Sequence, residues 1–372
     1  MKNAIALIYI LLTILTYSCK NKKNTSPSTS YIISGTISGL TENDTIIYLE
    51  ESPLNRKGRE LSSPIINGKF EFKGSVDEPT LVHLGITKYG FLPLFLENEN
   101  YTVKGNALSY RFSEVSGGSI QKEYLEYDEY AKKYDKIVKQ FTTIYNEKGS
   151  EAASEIENQL GKISEEKYYF EEKFITENRS SYVAAYLAYK NSKSSEIKKL
   201  DSLINLFDPS VQSSIYIKAM KKRVKTLRAV SIGKQAYDFK AIGIEGDSIK
   251  LSSFYSKKYL LVDFWGSWCG PCRYEIKKTL VPLYTKYKSK GFEILGVAFE
   301  FAKTNKAWFK AIKDDKMKWP QLYRTDGFGS HFGIKYGIKA VPTNVLLDEN
   351  GIIIARNLHG EALKNKISEL LD

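Results

Sequence analysis

The chain has 372 residues, room for two or three domains, and its 42% hydrophobic content excludes an intrinsically disordered protein. Lys and Arg number 55 against 43 Asp and Glu, a net charge of +12. The surplus is dispersed, which speaks against a nucleic-acid partner and reads as solubility, with attraction to anionic lipid headgroups second.

Met1-Lys2-Asn3 is a short basic start, and Ala4 to Leu15 is an apolar run too short to span a bilayer comfortably. Residues 1–18 therefore read as a signal peptide. Thr16-Tyr17-Ser18-Cys19 resembles the lipobox of bacterial lipoproteins, which implies cleavage before Cys19 and its acylation. Residues 19–30 are polar and read as a flexible tether. These features lead us to expect a periplasm-facing protein of the cell envelope, lipid-anchored to a bilayer through Cys19.

From 31 to 112 the pattern is short strands and turns. Tyr31–Ile37 alternates, Thr45–Leu49 is rich in strand formers, and Asn67-Gly68 between two strand-like runs predicts a hairpin. Further strands are predicted at Thr80–Ile86, Leu92–Leu96 and Tyr101–Lys104, giving a small all-β, sandwich-like domain. From 113 to 229 the composition turns to Glu, Lys, Tyr, Ala and Leu, a helical region. The small and aromatic stripe Ser180–Tyr189 reads as helix–helix core rather than a peptide groove, and Pro209 separates helices.

Residues 230–372 form a third unit. A strand at Asp238–Ile244 returns at Ser248–Leu251, and Tyr259–Trp265 is a third strand. A helix over 270–289 and a continuous apolar strand, Phe292–Phe299, follow. A helix near Asn305–Asp315, strands at Asn344–Asp348 and Ile352–Asn357, and a last helix at Leu363–Leu371 complete one mixed sheet flanked by helices.

Only three cysteines occur: Cys19, Cys269 and Cys272. The pair Cys269-Gly270-Pro271-Cys272 closes no loop long enough to stabilise a fold, so chemistry explains it better than architecture. It follows a strand and opens a helix. There, unpaired amides and the helix dipole favour a thiolate at Cys269, the species that attacks disulfides. Cys269 is the expected nucleophile, exposed at the turn, with Trp268 shaping the approach surface. Cys272, one helical turn in, is placed to resolve a mixed disulfide. Pro271 limits the backbone between the sulfurs and Gly270 offers little bulk. Half a zinc site is the competing reading, but no second cysteine pair exists, and His83, His331 and His359 lack ligand spacing. No metal and no cofactor is expected.

The motifs Val262-Asp263-Phe264-Trp265, Trp268-Cys269-Gly270-Pro271-Cys272 and Val341-Pro342-Thr343 resemble, in order and spacing, those of thioredoxin-fold proteins. The unit looks most like their extracytoplasmic TlpA/ResA-like, AhpC/TSA-related branch, which also shows Cys272-Arg273-Tyr274-Glu275. Lys277 and Tyr237 stand where that branch often has proline. Residues 31–112 resemble, less specifically, a β domain of unknown function found ahead of such domains in bacterial lipoproteins. The resemblance implies a C-terminal α/β thioredoxin fold and a thiol–disulfide oxidoreductase. It implies that Asp263 is a buried aspartate serving the proton of the resolving cysteine, its pKa raised by burial. It also implies that Pro342 is the cis-proline facing the disulfide, with Val341 and Thr343 beside it lining the client site. The implied partners are disulfide-containing client proteins and a membrane thiol electron donor.

A protein-disulfide reductant is the leading expectation, and cytochrome c maturation is one setting the resemblance suggests. A disulfide oxidase or isomerase is the alternative, as is a client-binding lipoprotein whose redox domain is secondary. A peroxiredoxin would want a Thr-x-x-Cys nucleophile, where this chain has Ser267-Trp268-Cys269.

Overall fold

The computed structural model describes residues 28–51, 53–54, 58–193, 195–300 and 305–372. The signal peptide, Cys19 and most of the tether lie outside them.

Eight strands come first among the described residues: β1 (Tyr31–Ser38), β2 (Thr45–Glu50), β3 (Glu60–Pro64), β4 (Lys69–Gly74), β5 (Thr80–Ile86), β6 (Gly90–Leu96), β7 (Asn100–Asn106) and β8 (Glu114–Ser116). They form two four-stranded sheets, β4-β1-β7-β8 and β3-β2-β5-β6. Both sheets supply one buried core containing Tyr31, Ile33, Tyr48, Phe72, Val82, Leu94 and Val103, so the unit is a sandwich. Two expectations need correcting. Asn67 and Gly68 do form a tight turn, both with positive φ, but Ile66 and Lys69 make the only bridge there. β3 and β4 then part into different sheets, because each must bury its apolar face against the other. The β unit also runs past residue 112, since β8 pairs antiparallel with β7.

Four helices follow: α1 (Ser119–Glu177), α2 (Tyr182–Asn191), α3 (Ile197–Leu206) and α4 (Ile215–Ala229). Gly149, with φ 82°, breaks α1, and the halves fold back so that Tyr130 stacks on Phe170 with ring centroids 4.5 Å apart. Ser181 caps α2, accepting the Ala184 amide, and Val183–Ala188 are buried as core. The helices cover part of the outer face of β5 and β6, at Leu81 and Phe95. In β5 the alternation sends Val82 and Leu84 into the sandwich and Leu81 into the helical core; in β6 it sends Leu94 and Leu96 one way and Phe95 the other.

The third unit contains β9 (Lys240–Gly243), β10 (Ser248–Lys250), β11 (Tyr259–Trp265), α5 (Gly270–Glu275), α6 (Val281–Tyr287), β12 (Phe292–Phe299), α7 (Asn305–Asp314), β13 (Gln321–Arg324), α8 (His331–Lys335), β14 (Thr343–Asp348), β15 (Ile353–Arg356) and α9 (Gly360–Leu371). Its sheet runs β10-β9-β13-β12-β11-β14-β15. β11 lies parallel to β12 and antiparallel to β14. This is the α/β thioredoxin fold, with a core on each face. The helix expected over 270–289 is interrupted by a π turn at Ile276–Leu280, where the Val281 amide reaches back to Ile276 O. Pro282 has no N–H for the next helical bond, and the wider turn accommodates it.

Candidate active site

β11 ends at Trp265, and the chain turns through Gly266, Ser267 and Trp268 into α5. Gly266 is dictated by packing: a Cβ there would lie 2.7 Å from the Trp268 ring. Trp268 donates its indole N–H to Phe299 O at 2.8 Å and leaves 47% of its surface exposed. Glu300, fully buried just beyond β12, accepts the Ser267 amide at 2.7 Å and the Ser267 hydroxyl at 2.8 Å, pinning the turn to the sheet.

Cys269 is the N-cap of α5 and its sulfur accepts the Cys272 amide at 3.2 Å. Pro271 occupies the first turn, where its missing N–H leaves nothing unsatisfied. Cys269 and Cys272 are joined in a disulfide, with Cα atoms 5.3 Å apart. Gly270 and Pro271 are exposed, and open space surrounds the missing Gly270 side chain.

Cys269 itself departs from expectation: it is 5% exposed rather than open to solvent. Its sulfur is bonded to Cys272 and lies 3.8 Å from Val341 O, a contact rather than a hydrogen bond because a disulfide sulfur has no proton. The Val341–Pro342 bond is cis. Thr343 donates its hydroxyl to Ala340 O at 2.9 Å, bracing this loop, and its backbone stands opposite Phe264 at the start of β14.

Asp263 shares the face of β11 that carries Leu261 and Trp265, and those two lie in one core with Cys269 and Cys272. It is 3% exposed. Burial pushes its carboxyl up to about 7, the nearby Glu275 carboxylate pushes the same way, and His359 pulls it down. His359 Nδ1 meets Glu275 Oε2 at 2.7 Å, and Glu275 Oε1 accepts the Gly360 amide at 3.2 Å. That hydrogen bond raises the imidazole above its ordinary range. Asn344 places the loop: it donates to Leu358 O at 2.7 Å and accepts the Leu358 amide at 3.2 Å. Arg273 forks onto Asp315 at 2.7 and 2.9 Å, tying α5 to the end of α7.

The structure thus gathers Asp263, Trp268, Cys269, Gly270, Pro271, Cys272, Val341, Pro342 and Thr343 at one end of the sheet. Sequence reasoning overlooked Glu300, the Glu275–His359 pair and Asn344. An acid closing an apolar parallel strand was the available signal for Glu300. His359 lies 84 residues from Glu275, and no local pattern joins them.

This arrangement can exchange one disulfide for another: a sulfur at a helix N-terminus, a second behind it, and a carboxyl that changes charge near neutral pH. Comparison with known proteins agrees. Residues 232–356 match the AhpC/TSA family, and residues 31–124 match a domain of unknown function, DUF4369. The thiol-disulfide oxidoreductase ResA of Bacillus thuringiensis subsp. konkukian is 34% identical over 142 residues, 38% of this chain and 78% of the relative. The thioredoxin-like protein YneN of Bacillus subtilis is 29% identical over 161 residues, 43% of this chain and 87% of the relative. A crystal structure of the thioredoxin domain of a thiol-disulfide oxidoreductase from Bacteroides vulgatus is 34% identical, covering 38% of this chain and 99% of that one, with a TM-score of 0.35. The chain therefore belongs to the AhpC/TSA family, among its ResA-like thiol–disulfide oxidoreductases.

Proposed function

We propose that this thiol–disulfide oxidoreductase works as a reductant of protein disulfides. The observation that carries the reading is Asp263, buried on the face of β11 that packs with both cysteines and titrating near neutral pH. In the dithiol form, the Cys269 thiolate attacks a client disulfide. A Cys269–client bond forms, the client S–S bond breaks, and the departing client thiolate takes up a proton. Asp263 then accepts the Cys272 proton, and the Cys272 thiolate attacks the Cys269 sulfur. This expels the second client sulfur as a thiolate, which takes up the proton held by Asp263, and leaves the Cys269–Cys272 disulfide. Two electrons pass to the client, and a membrane thiol donor returns the chain to its dithiol form. The cis Val341–Pro342 edge, with Val341 O beside the sulfur, suits an extended client strand lying against exposed Trp268, Gly270 and Pro271.

The setting we infer is the periplasmic side of a membrane, with the chain held by acylated Cys19. The apolar run Ala4–Leu15 and Ser18-Cys19 support it. Mass spectrometry of the mature N-terminus tests the anchor: an unmodified Cys19 removes it.

Equilibration of the Cys269–Cys272 pair against defined thiol buffers tests the direction of electron flow. A value near the thioredoxin figure, about −270 mV, is expected; one near about −120 mV marks a disulfide-forming oxidant and overturns the proposal.

A further inference from the structure

A cleft of about 640 Å³ opens between the outer face of β5–β6 and the folded-back halves of α1, in the part of the chain to which no chemistry is assigned. The helices leave this stretch of the sheet uncovered at His83, Phe91 and Pro93, which alternate on the same face as Leu81 and Phe95. The opposite wall carries Tyr124, Tyr127, Tyr134 and Tyr186.

Two features mark it as a built site. First, three of its polar side chains have no hydrogen-bond partner among the described residues. Tyr124 and Tyr186 are nearly fully buried, yet no group among the described residues hydrogen-bonds either hydroxyl, nor either nitrogen of His83. None of these atoms is fully enclosed; they open onto the cleft, where they are available to a ligand. Burial holds the His83 imidazole below its ordinary range, against the pull of Glu51, so the ring offers one donor and one acceptor. Second, Arg111, Lys167 and Lys190 line the cleft against one lining carboxylate, Asp135, which pairs with Arg111 at 2.9 Å, while Asp128 and Glu171 are buried behind them. Lys167 and Lys190 line the cleft and share a single buried carboxylate, Glu171, at 3.0 and 3.1 Å. Lys190 also donates to the Tyr127 hydroxyl at 2.5 Å. The wall of the cleft itself thus presents three cations and one carboxylate beside its aromatic rings.

We propose that this cleft binds an aromatic carboxylate. The ring stacks among the tyrosines and Phe91, the carboxylate is taken by Lys190 and Lys167, and polar substituents meet Tyr124, Tyr186 and His83. Such a group is presented by a free aromatic acid or by a peptide chain ending in an aromatic residue.

Isothermal titration calorimetry of the full-length chain in detergent tests this with 4-hydroxyphenylacetate, and with a Gly-Gly-Phe peptide bearing either a free or an amidated C-terminus. Saturable binding of at least one acid is expected. Preference for 4-hydroxyphenylacetate identifies a free acid, and preference for the peptide acid identifies a chain end. Lys190→Met should weaken the preferred acid about tenfold, and Tyr186→Phe, which removes only a hydroxyl, about threefold. The proposal is overturned if neither acid saturates at millimolar concentration. It also fails if p-cresol or the amidated peptide binds as tightly as the acids, or if both variants bind as the parent does. The redox potential of Cys269–Cys272 is independent of every one of these outcomes.

Discussion

β11 and β5 are both buried on two faces, yet they acquire that burial differently. β11 sits in the middle of a seven-stranded sheet with helices on both sides, and its near-continuous apolar run announces this. β5 belongs to a four-stranded sheet of a sandwich, and its second face is buried only because α1, α2 and α4 lie across it. The comparison teaches where chemistry can be read. In the thioredoxin-fold unit the groups proposed to react lie within a ten-residue strand-to-helix turn, Asp263 to Cys272. In the N-terminal half a site exists only where a sheet and a distant helical hairpin meet.

The most drastic way to sharpen this contrast is to remove the sulfur. Cys269→Ser should abolish disulfide exchange and client trapping, whereas Cys272→Ser should accumulate mixed disulfides, read by non-reducing electrophoresis. Equal trapping by both variants removes the assignment of nucleophile and resolver. Neither change should disturb the N-terminal half.

The converse experiment acts on Phe95, whose ring packs against Tyr124, Tyr186 and Tyr216 at 5.8–6.1 Å and joins sandwich to helices. Phe95→Ala should cost about 3–5 kcal/mol of stability in urea unfolding through the cavity it leaves. The potential of the cysteine pair should not move. A shifted potential would show that the two halves are coupled.

Asp263→Asn should act on both rate and stability. Between the ordinary 3.8 and about 7 the folded state holds a proton the unfolded state has lost, so stability falls as pH rises through that window. The asparagine variant lacks this penalty. Above pH 7 it should gain stability relative to the parent, with an upper bound on the order of 4 kcal/mol. Its exchange rate should lose the pH-dependent limb centred near 7. Parallel stability–pH curves for parent and variant would remove Asp263 as the titrating group.

His359→Gln is the gentlest probe. The imidazole pulls the Asp263 carboxyl down, so its loss should move the pH midpoint of exchange upward. Because the histidine is half-exposed, its ion pair with Glu275 should contribute only a few tenths of a kcal/mol to stability.

Much of the catalytic end was legible because its signals are local. Cys269 and Cys272 share one helical turn, Gly270-Pro271 starts the helix, and Asp263 stands in an apolar strand where a charge is conspicuous. The sandwich was legible from alternation in β1 and from the Asn67-Gly68 turn. The parting of β3 and β4 was not, because a turn residue sets local backbone geometry but not which sheet each strand joins. The burial of Cys269 was also missed, since the Val341–Pro342 loop that meets its sulfur lies 72 residues away.

By itself, then, the sequence determined the class of chemistry, the Cys-x-x-Cys pair proposed to carry it and the three-part order of the chain. Those properties follow from residue type and short-range spacing. Only the tertiary structure decided that Glu275 and His359 flank Asp263, that Glu300 holds the Ser267 turn, and that β5–β6 and α1 enclose a cleft. The physical reason is range. Hydrogen-bond propensity and hydrophobic period act over a few residues, whereas a buried charge or a cleft wall takes its character from neighbours that only the folded chain brings together.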